Sequence, residues 1–369
     1  ISGIGSGGTG NGAAGFNALM VRQAWIEFPT GPIRIKLGRT YVAHGFLGNG
    51  LFDNIVDRAA FTYKMDDNTV VSFIHAKPRD SRFTGAAVAS TSSTTANDGD
   101  RNVYNLGFTH KMGDMGDAAA RVYYVRDGRD GYNGAGATST GGQFNGTWLA
   151  AQTNLKLNLI NVYVSGAYLT GTTTDGPATG TGTQTKRDID AYAAHVDVNA
   201  NVGPAKVGLI GGYGSGDKNT GDNKLKTFFA PGPASYLHTA LFFSSSQPQN
   251  NNGLGSVGDD ANGGNRLNQQ NGSRQSLSNV QWAGLYGDFK TTDDLTLSAI
   301  AAKFKQAARL AGQSADIGSE VDLVASYQLQ KGLALVGTAA RFWPGQAFSN
   351  NVITNENISL LFGRLQWDF

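Results

Sequence analysis

Apolar and polar residues alternate along this chain in runs of about ten, the length of a tilted strand that crosses a membrane. Ile33, Ile35 and Leu37 alternate with Arg34 and Lys36, and Phe61, Tyr63 and Met65 with Thr62 and Lys64. Tyr104, Leu106 and Phe108 interleave with Asn105, Gly107 and Thr109, and Ala120, Val122 and Tyr124 with Arg121 and Tyr123. The same period returns around 160–168, 192–199 and 320–329. Segments 70–77, 144–154 and 277–289 alternate less cleanly but fit the same spacing.

The connections sharpen the picture because their lengths alternate. Turn-rich joints at Pro29–Pro32, Met65–Asn68, Met112–Asp117, Leu155–Asn158, Asn199–Pro204, Lys290–Asp294 and Gln330–Gly332 separate long polar stretches at 42–55, 78–101, 127–142, 170–187, 215–276, 305–318 and 343–356. Short turns on one side and long loops on the other mark an outer-membrane β-barrel. A soluble sandwich has no reason to repeat that asymmetry in step.

The predicted fold is therefore all-β, a single transmembrane antiparallel barrel over 1–369 with short periplasmic turns and long extracellular loops. Fifteen strands are visible, from Phe16 to Phe369. Single-chain bacterial barrels hold an even number, so about sixteen are expected, with the first upstream of Ile1 and the Gly/Ser-rich stretch Ile1 to Gly15 as an outer loop.

The final strand carries a more specific signal. In Leu361-Phe362-Gly363-Arg364-Leu365-Gln366-Trp367-Asp368-Phe369, the residues Leu361, Leu365, Trp367 and Phe369 share one face with Gly363 between them, while Phe362, Arg364, Gln366 and Asp368 share the other. This strand resembles the closing strand of bacterial outer-membrane barrels. The resemblance implies that Phe369 is an assembly signal, that the barrel assembly machinery and outer-membrane lipid are partners, and that a homotrimer is open to it.

Composition agrees. Gly at 51 of 369 residues is about twice the usual ~7%, and no run approaches the ~18 apolar residues of a spanning helix. Five Trp, thirteen Tyr and nineteen Phe suffice for aromatic girdles at two interfaces. The absence of Cys removes thiolate catalysis and thiolate metal sites. A net charge of +2 gives no footprint for nucleic acid.

A barrel of this size encloses water, and function then rests on its inward faces. On this alternation they present Arg34, Lys36, Arg58, Lys64, Arg121, Lys206 and Arg364 against Glu27, Asp197, Glu320, Asp322 and Asp368. Bases outnumber acids, which predicts mild anion preference unless the charges pair across the wall. The inward faces read as polar, as a water-filled channel requires.

The longest connection, 215–276, holds an apolar centre, Thr227-Phe228-Phe229-Ala230-Pro231 through His238 and then Leu241-Phe242-Phe243, between Asn/Gly/Gln-rich flanks. Such a patch wants burial. It predicts an inward constriction, with Lys224, Lys226 or His238 available to solutes, or else an outward cap.

Leu37-Gly38-Arg39-Thr40-Tyr41, continuing through Gly45–Gly50 to Asp57-Arg58, resembles the strand-loop-strand of alginate-export-type porins. That implies Arg39 and Arg58 as solute contacts; the alternative is an Arg–Asp pair that anchors the loop.

Catalytic signals are poor. His44, His75, His110, His195 and His238 have no metalloprotease spacing, and there is no nucleophile elbow. Acidic loops at 97–100, 127–131 and 216–219 lack the full Ca²⁺ ligand spacing, and turn chemistry accounts for them. No enzyme activity and no cofactor are expected. The reading is a porin of the bacterial outer membrane for passive or weakly selective diffusion of small hydrophilic solutes. The alternatives are a channel specific for an anionic or sugar-like solute, or a scaffold barrel around a partner such as a multihaem cytochrome.

Overall fold

The computed structural model describes residues 23–48, 52–79, 101–127, 143–175, 185–219, 222–231, 238–242, 277–309, 311–349 and 356–367. They form one sheet. Its long strands are β1 (Ala24–Thr30), β2 (Ile33–His44), β3 (Phe52–Lys64), β4 (Thr69–Arg79), β5 (Arg101–Lys111), β6 (Gly116–Asp127), β7 (Gln143–Leu157), β8 (Ile160–Asp175), β9 (Thr185–Val202) and β10 (Ala205–Gly214). After the two-residue β11 (Lys224–Leu225) follow β12 (Val280–Lys290), β13 (Leu295–Gln306), β14 (Asp316–Gln330), β15 (Leu333–Pro344) and β16 (Ile358–Trp367). Helical structure among the described residues is a 3₁₀ turn, Gly113–Met115, and the four-residue α1 (Gln346–Ser349).

Each long strand pairs antiparallel with its neighbours in chain order, while β11 lies parallel to β9. The less regular segments are strands too, as β4, β7 and β12. Short turns fall where the sequence places them, except that the β7–β8 turn sits two residues later, at Asn158 and Leu159. Asn158 has φ 58°, a left-handed value that Asn tolerates. β1 and β16 are the two edges, and no pairing joins them among the described residues. The expected strand start at Phe16 and the terminal Phe369 lie outside those residues.

The register sorts side chains onto two faces. One face is exposed and apolar: Leu37, Phe61, Phe73, Leu106, Val122, Leu149, Val164, Val196, Leu209, Leu285 and Leu323 run across the strands, with Phe61–Phe73–Leu106–Val122–Leu149, Val164–Val196 and Leu209–Leu285 as direct cross-strand pairs. Tyr41, Tyr104, Tyr124, Tyr168, Tyr192 and Trp343 flank this belt toward the long connections. Phe28, Tyr63, Phe289, Tyr327 and Trp367 flank it toward the short turns. An apolar band between two aromatic rows is the exterior of a membrane barrel.

The opposite face departs from the expected polar lining. It holds the buried core, including Tyr123, Trp148, Trp282, Phe304 and Phe342. The reason is the long connection after β10. Its residues Phe228, Ala230, Leu241 and Phe242 are buried against this face, so the wall facing them is apolar.

Candidate functional site

The connection between β10 and β12 is pinned on the inward face at two places. At the first, Trp148 on β7 donates its Nε1–H to the Phe229 carbonyl at 2.8 Å, and Arg101 on β5 donates to the Pro231 carbonyl at 2.7 Å. The Phe229 ring meets Trp148 edge-on, with centroids 5.8 Å apart, and Phe144 at 5.5 Å. Arg101 also approaches Asp127 at 3.9 Å.

At the second, the donors and acceptors reverse. Glu320 on β14 accepts the Leu241 N–H at 2.6 Å and the Phe242 N–H at 2.9 Å, while Asp322 accepts the Ala240 N–H at 2.7 Å. The Phe242 ring packs against both Phe304 on β13 (4.2 Å between centroids) and Phe342 on β15 (5.9 Å), which also touch each other at 6.4 Å. Between the anchors, His238 stacks on His195 of β9 at 4.9 Å and lies 5.6 Å from Trp282 of β12.

The loop after β2 also turns inward. Phe46 and Leu47 are buried, the Leu47 N–H donates to Ser165 Oγ at 2.9 Å, and the Tyr163 hydroxyl donates to the Gly45 carbonyl. At Gly48 (φ 59°) the two loops meet: an added Cβ would lie 2.7 Å from His238 Nε2. Only glycine fits there.

A cavity of about 450 Å³ lies against the inward face of β9 to β16, with His238, Thr239 and Ala240 among its lining. Its charged lining is Asp197, Lys206, Asp288, Asp322 and Arg364. Within it the Tyr286 hydroxyl donates to Asp197 at 2.8 Å, and Lys206 Nζ sits 5.5 Å from the Tyr286 ring centre.

The sequence-predicted residues separate into groups. Arg34 and Lys36 face inward and share Glu27, at 3.1 and 3.2 Å. Arg121 donates to Asn105 Oδ1 at 2.7 Å, and Arg58 faces inward with no ion-pair partner among the described residues. Lys64 pairs with Asp67 in the β3–β4 turn at 2.6 Å. Lys206 and Arg364 line the cavity.

Three expectations need correction. Arg39 lies in register with Leu37 and Tyr41 on the outward face, where it meets Asp57 at 3.3 Å; the strand's period of two turns its side chain away from the interior. Glu320 and Asp322 are 1% and 3% exposed and accept loop amides, so Glu320 is not an open lining charge and Asp322 meets the cavity only at its edge.

Among the loop candidates, Lys224 is exposed on β11, and Lys226 closes on Asp222 at 2.9 Å. That hydrogen bond holds Lys226 above its ordinary pKa and Asp222 below its own. Burial, with a smaller contribution from neighbouring His195, lowers His238 to about 3. The 216–219 turn is capped internally, since Asp217 accepts the N–H groups of Asn219 and Lys226. Among the described residues no group of three or more His, Asp or Glu could hold a metal ion.

The anchors Arg101, Trp148 and Phe304 escaped the reading of the sequence. Trp148 left a signal in the weakened alternation around 144–154, since a strand apolar on both faces has a second partner; Arg101 and Phe304 left none.

The sequence matches no protein-family model, and no curated protein is similar to it. The fold does have solved likenesses. OccK5 (OpdH) of Pseudomonas aeruginosa superposes with a TM-score of 0.50 at 13% identity, over 94% of this chain and 81% of that one. This chain has the same kind of β-barrel fold. A BenF-like porin from Pseudomonas fluorescens Pf-5 gives 0.49 at 12% identity, over 94% and 77%. The outer membrane protein opdK from Pseudomonas aeruginosa gives 0.47 at 11%, over 86% and 74%. The alginate-export resemblance of 37–58 gains no support from these likenesses.

Proposed function

We propose that the chain is an outer-membrane porin through which small hydrophilic solutes or ions diffuse, with 1–369 as a single transmembrane barrel domain. The observation that carries this reading is the sorting of the two faces. An apolar belt between aromatic rows suits lipid, while the opposite face carries Arg58, Arg121, Lys206 and Arg364 and receives the chain's own loop. The loop crosses from β5 and β7 to β13–β15, as a constriction would. Transport rather than catalysis follows.

Anion preference is retained on different grounds. Glu320 and Asp322 are engaged by amides, Asp197 by Tyr286, and Glu27 by two cations. Arg58 and Arg364 form no ion pair among the described residues and are the side chains that would draw anions, whereas the cavity beneath residues 238–240 carries three acids against two bases.

A second reading, a substrate-specific channel, is favoured by the cavity beneath residues 238–240, which is large enough for a small solute and lined by both signs of charge. A sheath for a partner cytochrome finds less support, because the chain's own loop lies across the space such a partner needs. The alginate-type role of Arg39 as a solute contact does not fit its outward placement.

Planar-bilayer recording of the purified protein tests the proposal. An ohmic single-channel current is expected, and block by one solute class at low concentration would favour the specific channel. A protein that inserts and conducts nothing would refute the porin.

A further inference from the structure

We infer that Glu320 and Asp322 are positioning residues: a two-carboxylate catch on the wall that holds residues 240–242 of the inward connection and so sets the bore. The inference rests on the constriction reading above for its effect on conduction, but not for the catch itself.

The geometry separates a catch from ordinary wall charge. Three consecutive amides, those of Ala240, Leu241 and Phe242, point at two carboxylates two residues apart on one face of β14. The distances, 2.6 to 2.9 Å, are those of well-formed hydrogen bonds. Both carboxylates are buried. A loop that crosses an interior without joining a sheet has unpaired N–H groups wherever it meets apolar wall, and each one buried without a partner is costly. Glu320 answers two of them with one side chain.

Phe242 completes the device. Its ring packs against Phe304 and Phe342 on the two strands that flank β14, Phe342 being the cross-strand partner of Glu320 and Phe304 that of Gly318. An aromatic knob fixes depth, and the carboxylates fix orientation. The opposite anchor works with reversed polarity: Arg101 and Trp148 donate to loop carbonyls. Wall donors at one end and wall acceptors at the other give the crossing chain one direction. Each anchor can therefore be released separately.

The absence of Cys makes the test direct. In Leu241→Cys the new thiol occupies a buried position and should react slowly with a membrane-impermeant maleimide in proteoliposomes. Adding Glu320→Ala should raise the labelling rate about tenfold or more, because it removes two hydrogen bonds and leaves two buried amides unpaired. Asp322→Ala should give a smaller rise. Arg101→Ala should free the other anchor and change labelling at 241 less than Glu320→Ala does. Unboiled gel mobility reports assembly for every variant; if Glu320→Ala does not assemble, Glu320→Gln serves, because its amide NH₂ opposes one of the two loop N–H groups.

Faster labelling together with higher single-channel conductance supports both the catch and the constriction. Faster labelling with unchanged conductance supports the catch and overturns the bore-setting role. Labelling unchanged in assembled Glu320→Ala or Glu320→Gln overturns the catch.

Discussion

Replacing Phe242 with Ala isolates the aromatic part of loop docking from the hydrogen bonds beside it. The ring is 1% exposed, with centroids 4.2 Å from Phe304 and 5.9 Å from Phe342. Truncating a buried Phe costs about 3–5 kcal/mol, from lost transfer energy and the cavity left behind. None of this falls on a strand hydrogen bond, because residues 238–242 lie outside the sheet. The penalty therefore acts on the docked loop, and at about 1.4 kcal/mol per tenfold it multiplies the undocked population by roughly 10² to 10³ or more. Single-channel recording should show frequent excursions to a higher conductance level that are rare in the wild type. Phe242→Leu, which keeps most of the volume, should cost less than about 1.5 kcal/mol and show few of them. The temperature at which the unboiled gel band is lost should stay the same for all three proteins. A Phe242→Ala trace indistinguishable from wild type in level and noise would refute the reasoning, and so would a collapse of the barrel itself.

Other consequences follow from the same geometry. Neutralising Arg58 and Arg121 together to Gln should move the reversal potential in a KCl gradient toward cations, more at low salt, because the screening length falls from about 30 Å at 0.01 M to about 10 Å at 0.1 M; Arg39→Gln should leave it unchanged, and a shift there would mean that the outward assignment is wrong. His238 is held at about 3 by burial, against an ordinary value near 6.5. Below pH 6.5 the released ring takes a proton that the docked ring refuses, so docking loses up to about 1.4 kcal/mol per pH unit down to about pH 3. Conductance noise should rise between pH 6.5 and 4 and rise less in His238→Asn; equal acid response in both proteins would remove His238 from the account. Deleting Phe369 or replacing it with Ala should lower the yield of heat-modifiable barrel in the outer membrane, and an unchanged yield would separate this chain from the terminal-aromatic pattern it resembles.

The strand skeleton was legible because a barrel wall is a one-dimensional code. Each strand pairs with its chain neighbours, so period two assigns the face of every residue, and alternating connection lengths assign the ends. Arg34, Arg58 and Lys206 could be turned inward from sequence alone on that rule. The rule also contradicts the channel role given to Arg39, since an odd position beside Leu37 and Tyr41 must face outward. A resemblance over a short segment overrode the periodicity there, and the periodicity was right. The ends of β7 and β8 moved because strands can extend past the membrane with the same alternation, so the pattern has no stop signal until a turn residue such as Asn158.

The interior was less legible, and the reason is physical. Facing tells which side chains point inward but not what they meet, and contacts between residue 148 and residue 229, or 242 and 320, have no local signature. What the sequence did hold was a pair of complementary anomalies: an apolar stretch in a polar loop, and strands whose inward positions were apolar where water was expected. Either anomaly alone has an innocent explanation, a cap or an irregular strand. Together they balance, because Phe228, Leu241 and Phe242 need a dry surface, and Trp148, Trp282, Phe304 and Phe342 need to be covered. The acids follow from the same balance. A carboxylate among inward aromatics is tolerable only if something donates to it, so Glu320 and Asp322 marked the place where the loop's backbone had to arrive.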